Sequence, residues 1–491
     1  MNLKKISIIG SGVGGMATAV RLSAMGVEVD VYEANDYAGG KLSEVWRGKY
    51  RFDVGPSVFT LPHLVDDLYA FSGVPSTFGY RKLAITCRYF WEDGLTIVGY
   101  ADETAFAEEV AHKLGIAASV MHQHFAHTKR LYDATRPVFL EKSLHRWQSF
   151  ATSDTLRAIA NLHHLDLFTT MHAANTRRLK HPKLVQLFNR YATFNGSSPY
   201  LAPGILNVIP HLEHGIGVFA PEGGMYAITK SLVGLAERNG AKFHYNMPID
   251  QVLHEKKVVK GIRSGTQIIG SEVVVSNMDV YPTYKHLLHD ERQAAKELKQ
   301  ARSLSAIVFY WGIQRTFDNL DVHNTFFSED YENEFTHLIE QQTVCNDPTI
   351  YVNIGSKYAP ADAPEGCETW FVMINAPSNN GTQDWDELVA RTRQNIIEKL
   401  NRMLHIDLES LIAEEMVFDP RVIEARNRTA QGAIYGTSSN DRMAAFFRHP
   451  NYAPDYKNLY FAGVAAHPGG GIPLCLLSGK IASEMIERKY L

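Results

Sequence analysis

Apolar positions near the start of the chain change period twice within thirty residues. Residues 5–9 (Lys-Ile-Ser-Ile-Ile) form a short apolar run, and 15–25 carry a helical pattern. Residues 27–33 (Val-Glu-Val-Asp-Val-Tyr-Glu) then alternate apolar with polar. The expected product is strand, helix, strand. Further on, residues 88–100 predict a hairpin turning at Asp93-Gly94, and 102–190 read as mostly helical. A helix is predicted over 225–240, ending at Gly240, with strands at 241–245, 258–263 and 271–276. Residues 303–313 and 368–376 are strand-like, 384–403 are helical, and a helix from Pro473 closes the chain. Loops are expected at 359–366 and 377–382, where prolines and glycines cluster.

Composition narrows the class. The 491 residues are 45% hydrophobic and 21% charged, which suits a large buried core and two or three domains. Lys plus Arg number 49 against 53 Asp plus Glu, a net charge of −4 that argues against a nucleic-acid partner. Cys87, Cys345, Cys367 and Cys475 have no metal spacing and are expected as apolar fillers in a reducing compartment. No run of 18 apolar residues occurs, so no membrane span is expected. The opening MNLKKISIIG puts basic residues before an apolar run, but Gly10, Gly12, Gly14 and Gly15 interrupt it. A cytoplasmic location is the expectation.

Between the first strand and helix stands Gly10-Ser-Gly12-Val13-Gly14-Gly15, a GxGxxG. Its glycines permit a tight turn, close approach of a pyrophosphate, and close helix–strand packing. The helix N-terminus offers free N–H groups to phosphate. Glu33, with Ala34 after it, ends the second strand where a carboxylate meets ribose hydroxyls and would repel a 2′-phosphate. A second glycine pair follows at Gly39-Gly40-Lys41, then Phe52-Asp53-Val54-Gly55-Pro56-Ser57. Simple NAD domains have no use for it, whereas the ribityl chain and flavin of FAD need further backbone approach. Far down the chain, Gly463-Val-Ala-Ala-His467-Pro468-Gly469-Gly470-Gly471-Ile472-Pro473 forms a nest of N–H groups ahead of the last helix. Leu477, Ile481 and Met485 give that helix one buried face.

This arrangement resembles the amine-oxidase and carotenoid-desaturase superfamily of FAD enzymes. Pro221-Glu-Gly223-Gly224-Met225, Asn246 with Val252, and Val274-Val-Ser276-Asn277-Met278-Asp279 also match it. The GxxxHPGxGxP string at Gly463–Pro473 is similar to the carotenoid (phytoene-type) desaturase family. Ala466, Ser478-Gly479, Asn375-Ala-Pro377 and Arg190-Tyr-Ala-Thr-Phe-Asn-Gly-Ser-Ser-Pro199 look closer to the 1-hydroxycarotenoid 3,4-desaturases, the methoxyneurosporene-dehydrogenase group. His211-Leu-Glu213 and Asp347-Pro-Thr-Ile-Tyr-Val352 extend the resemblance along the chain.

The resemblance implies an α/β protein: a Rossmann-like FAD-binding domain and a discontinuous α+β substrate domain with a mostly helical, membrane-facing part. The FAD domain is expected over 1–80, 222–300 and 450–491. The substrate domain is expected over 81–221 and 301–449, with 102–190 mostly helical. The expected cofactor-binding residues are Gly10, Gly12, Val13, Gly14, Gly15, Glu33, Ala34, Gly40, Lys41, Gly55, Pro56, Ser57, Val252, Asn277, Gly463, Gly471, Ile472 and Pro473.

The chemistry implied is removal of two hydrogens from an acyclic carotenoid, by hydride transfer to flavin N5 and loss of a proton to a base or water. Glu213 and His467 are the candidate catalytic residues; His211 and His214 share the Glu213 segment, and no metal site is expected. A quinone or oxygen is the expected electron acceptor. Tyr89-Phe90-Trp91 and Phe309-Tyr310-Trp311 are candidates for a tunnel wall, with ordinary sheet packing expected for most of them. A bilayer-borne substrate calls for peripheral membrane contact, expected from Arg146, Arg177, Arg178, Lys180 and Lys183 beside Trp147, Phe150, Phe168 and Leu179. Phytoene desaturases, carotenoid isomerases, carotenoid oxygenases and retinol saturases share the fold and stay open. Amine or protoporphyrinogen oxidases are disfavoured by His467-Pro468, and a non-catalytic prenyl-lipid carrier by the intact glycines and Glu33.

Overall fold

The computed structural model describes residues 5–136, 165–441 and 448–491. Arg146, Trp147 and Phe150 of the expected membrane patch lie outside the described residues.

Strand Lys5–Ile9, helix Val13–Ala24 and strand Glu28–Tyr32 form the opening unit. Both strands are almost wholly buried, as parallel strands covered on two faces must be. Distant segments complete their five-stranded sheet, ordered Leu459–Phe461, Val273–Ser276, Lys5–Ile9, Glu28–Tyr32, Lys242–His244, every neighbouring pair parallel. Helix Val13–Ala24 packs between helix Tyr226–Arg238 and the closing helix Ile472–Tyr490. Gly14 and Gly479 permit that contact: a Cβ on Gly479 would lie 2.8 Å from Gly14 O and from Ala17 Cβ. The closing helix is therefore buried on more than the single face expected. Leu477 and Ile481 are inside, but so are Cys475, Leu476, Ala482 and Ile486 on the side toward helix Val13–Ala24.

A second sheet has seven strands, ordered Ile412–Phe418, Ser305–Ile313, Glu368–Ala376, Ile350–Ile354, His323–Phe326, Ile85–Phe90, Thr96–Tyr100. All pairs are antiparallel except His323–Phe326 with Ile85–Phe90. Strand alternation divides its faces. Ile307, Phe309, Trp311 and Ile313 join Trp370, Val372 and Ile374 in one core beneath helix Trp385–Leu404. Ala306, Val308 and Tyr310 point the other way, with Phe371 and Met373. Tyr310 is thus the cavity-facing member of its aromatic triplet, and Phe309 and Trp311 are sheet core.

The expected hairpin turns as read, with Gly94 at φ +83°. Strand Gln251–Glu255 carries Val252, and strand Gln267–Gly270 was not expected; the two flank Val258–Ser264 in a small antiparallel sheet. Helices Glu103–Leu114, Ser119–Thr135, Met171–Leu179 and Pro182–Asn189 form a layer over the Ile85–Tyr100 hairpin.

That layer corrects part of the membrane-patch expectation. Leu179 is 1% exposed and belongs to the core. Arg177 and Arg178 share the single carboxylate of Asp166, and Lys183 pairs with Asp93, so the charge of this cluster is reduced but not cancelled. Phe168, 79% exposed, is the large apolar side chain that stands out there. Among the described residues no helix is long and apolar enough to cross a membrane.

Candidate functional site

One cavity of about 690 Å³ runs between the two large sheets. That volume is within the range of ligand and cofactor sites, and its wall is mostly apolar. At one end it reaches the Gly10–Gly14 turn and Glu33; at the other, the cavity-side face of the seven-stranded sheet.

Of the eighteen expected cofactor residues, Gly15, Val252 and Gly463 do not line this cavity. Gly15 and Gly463 support it instead. A Cβ on Gly15 would sit 2.3 Å from Gly10 O, and one on Gly14 would sit 2.6 Å from Gly463 N. Val252 is 1% exposed and packs with Val259 and Ile262 in another core, because its strand belongs to the small antiparallel sheet. Asn246 takes a left-handed turn, φ +54°, with its N–H on Asn35 O.

The three sequence-distant pieces are tied together by side chains. Gly15 N donates to Asn277 Oδ1 at 2.6 Å, and Asn277 Nδ2 donates to Ala462 O at 3.2 Å. Ser478 Oγ accepts from Gly463 N at 3.0 Å and from Asn451 Nδ2 at 3.0 Å. Asn451 also donates to His467 O at 2.8 Å. The motif at the start, the return strand in the middle and the glycine loop at the end thus form one rigid wall.

Several features fit an FAD. The Glu33 carboxylate accepts from Ser11 N and Oγ at 2.9 and 2.7 Å, and from Asn35 N and Nδ2, both at 3.0 Å. A ribose diol would replace the two side-chain donors and leave the backbone ones. Gly12 and Gly40 face each other across the approach, a Cβ on Gly40 lying 3.4 Å from Gly12 Cα. Gly471 stands at φ +101° before helix Ile472–Tyr490, and a Cβ there would meet nothing within 4 Å. The positive φ by itself calls for glycine, the residue is open to the cavity, and the helix N-terminus faces that space with partial positive charge. Lys41 Nζ donates to Ile434 O at 2.5 Å, and burial pushes its pKa down to about 8.

Glu213 and His467 both line the cavity; His211 and His214 do not. Leu212 and Glu213 turn inward on the π-type segment His211–Ile216, while its histidines turn toward the helical layer. Glu213 Oε1 accepts from Tyr191 OH at 2.8 Å and pairs with Arg190 Nη2 at 3.3 Å. Burial raises its pKa, and Arg190 opposes the rise. His214 Nε2 lies 2.7 Å from Tyr191 OH, and burial lowers its pKa to about 3. Arg190 also lines the cavity; its motif was noted in the sequence, but nothing there gave it a partner 23 residues away. Tyr351 OH bridges Ser57 Oγ at 2.9 Å and His323 Nδ1 at 2.7 Å, a link between the cofactor end and the second sheet that no sequence signal announces.

Comparison with known proteins gives four findings. Residues 13–486 match the family model described as flavin containing amine oxidoreductase. The chain is 46% identical over 485 residues to 1-hydroxycarotenoid 3,4-desaturase of Flavobacterium sp. (strain P99-3), covering 99% of both chains. It is 30% identical over 500 residues to 4,4'-diaponeurosporene oxygenase of Staphylococcus aureus (strain MRSA252), covering 99% of this chain and 98% of that one. Among solved structures, an oxidoreductase from Methanosarcina mazei superposes with a TM-score of 0.65 at 14% identity, over 98% of this chain and 100% of that one. That likeness is one of fold.

Proposed function

The chain belongs to the flavin containing amine oxidoreductase family, and from that premise we propose that it desaturates an acyclic carotenoid, removing two hydrogens at the 3,4 bond of a 1-hydroxycarotenoid. It is an FAD-dependent oxidoreductase. The observation that carries the reading is the continuity of the cavity: the glycine turns and Glu33 form one end of its wall and an apolar sheet face forms the other. The 46% identity to a 1-hydroxycarotenoid 3,4-desaturase supports the substrate class.

FAD, when bound, supplies the hydride acceptor. The chain's own residues do the rest. Gly10, Gly12, Val13, Gly14, Glu33, Ala34 and Gly40 would hold the adenosine and pyrophosphate, and Lys41, Gly55, Pro56, Ser57, Asn277, Gly471, Ile472 and Pro473 would receive the rest of the cofactor in the same cavity. Val308, Tyr310, Phe371 and Met373 give a polyene a flat apolar surface and exclude water. The released proton passes to His467, 2% exposed on the glycine loop, or to water. Glu213, tied to Arg190 and Tyr191, is better placed to bind than to carry a proton. The electrons leave to a quinone or oxygen, and the substrate enters from a membrane surface that the protein touches peripherally through the exposed Phe168 region.

The test is anaerobic turnover of a 1-hydroxycarotenoid in liposomes. Flavin bleaching should accompany a product two hydrogens lighter. A product of unchanged mass would make the enzyme an isomerase, and a product that gains oxygen in a parallel reaction in air would align it with the relatives named as oxygenases. Liposome flotation checks membrane contact, and Phe168→Asp should reduce it.

A further inference from the structure

Among the charged side chains that line the cavity, Arg190 and Glu213 form a buried pair, 7% and 3% exposed. The pair is built but not saturated. Arg190 Nη2 reaches Glu213 Oε1 at 3.3 Å and Tyr89 OH at 3.4 Å, while Nε has no partner among the described residues. The guanidinium is sandwiched by rings, 4.7 Å from the Tyr191 centroid, 5.1 Å from Phe194 and 5.5 Å from Tyr89. Those contacts hold it in place without using its donors. Tyr191 donates to Oε1, and His214, kept neutral by burial, donates through Nε2 to Tyr191. The Arg190 and Tyr191 hydrogen bonds both fall on Glu213 Oε1, while Glu213 lines the cavity.

A buried ion pair with unused donors and acceptors is costly unless something completes it. The missing partner must be neutral, since an anion would face Glu213 and a cation Arg190. It must both accept and donate. A hydroxyl on an apolar molecule meets these conditions.

We propose that Arg190 and Glu213 receive the hydroxyl of the substrate, Arg190 donating to its oxygen and the hydroxyl donating to Glu213 Oε2. The proposal rests on the functional reading above. In a 1-hydroxycarotenoid the hydroxyl carbon is two bonds from C3, so fixing the hydroxyl fixes which bond is presented for oxidation. The pair determines specificity for the substrate and its register in the cavity.

The experiment compares a 1-hydroxycarotenoid with the same carotenoid lacking the hydroxyl, using flavin-loaded protein in phosphatidylcholine liposomes. Equilibrium binding is read from polyene absorbance, and turnover from product mass. The intact protein should prefer the hydroxylated ligand by roughly 10- to 100-fold, the range for one hydrogen bond to a charged group. Arg190→Met should remove that preference by weakening the hydroxylated ligand alone, and Arg190→Lys should restore part of it. Glu213→Gln, whose amide both donates and accepts, should retain an intermediate preference in binding. Equal loss for both ligands, or no preference in the intact protein, would overturn the proposal. Parallel loss of flavin from all three variants would also overturn it, by making the pair a cofactor contact. If the protein shows the binding preference but yields no 3,4-desaturated product, the functional reading fails while the hydroxyl site stands.

Discussion

Asn277 Oδ1 accepts the N–H of Gly15 at 2.6 Å, joining the first turn of the opening helix to a strand end 262 residues away. The same amide donates to Ala462 O, so one side chain sets the spacing of all three loops around the cofactor end. Asn277→Leu should orphan the Gly15 N–H and the Ala462 carbonyl. An expected loss of about 1–3 kcal/mol would appear as a lower melting temperature, with flavin lost on gel filtration. Unchanged flavin content would mean the loops hold their spacing without it.

Gly14 and Gly234 make a matched pair of helical glycines. A Cβ at Gly14 meets the Gly463 backbone at 2.6 and 2.7 Å, and backbone cannot rotate away; at Gly234 it meets nothing within 4 Å. Gly14→Ala should yield protein without flavin. Gly234→Ala should raise stability by about 0.5–1 kcal/mol through helix propensity. Flavin absorbance per protein and thermal melting read both.

Acid should destabilise the fold through buried neutral histidines. His124 is 1% exposed, neither ring nitrogen is hydrogen-bonded among the described residues, and burial lowers its pKa from 6.5 to about 3. Between those values the unfolded chain binds a proton that the folded chain refuses, so stability falls as pH drops below about 6.5. From pH 6.5 to 5 one such group costs about 2 kcal/mol. His124→Leu should flatten the stability profile over that interval by a similar amount, measured by urea denaturation at pH 7.5 and pH 5. A profile as steep as the parent's would exclude His124 as the source.

The adjacent residues Phe309 and Tyr310 should behave differently when truncated. Phe309 lies in the core under helix Trp385–Leu404, and Tyr310 lines the cavity. Phe309→Ala should cost about 3–5 kcal/mol without altering which carotenoids are turned over. Tyr310→Ala should broaden or shift substrate choice. Melting temperature and product profiles separate the two effects, and identical behaviour would contradict the division of the strand's faces.

Local pattern was enough for the opening unit, the hairpin at Asp93-Gly94 and the strands at 303–313 and 368–376, because period and turn chemistry are written within a few residues. The short strand Gln267–Gly270 was missed; its mostly exposed positions show little alternation, and tertiary pairing makes it a strand. Val252 was expected at the cofactor for the same reason: a motif gives a position in the chain, and its sheet decides which way the side chain points.

By itself the sequence determined the glycine turns, the acidic residue after the second strand and the resemblance they carry, because a bare backbone and a carboxylate at fixed spacing suit few ligands. Only the tertiary structure decided that loops from the start, middle and end share one wall. It also decided that alternate residues of the sheet divide between core and cavity, and that Arg190 meets Glu213. Each of those facts depends on register or packing between segments far apart in the chain, and a linear pattern holds no record of either.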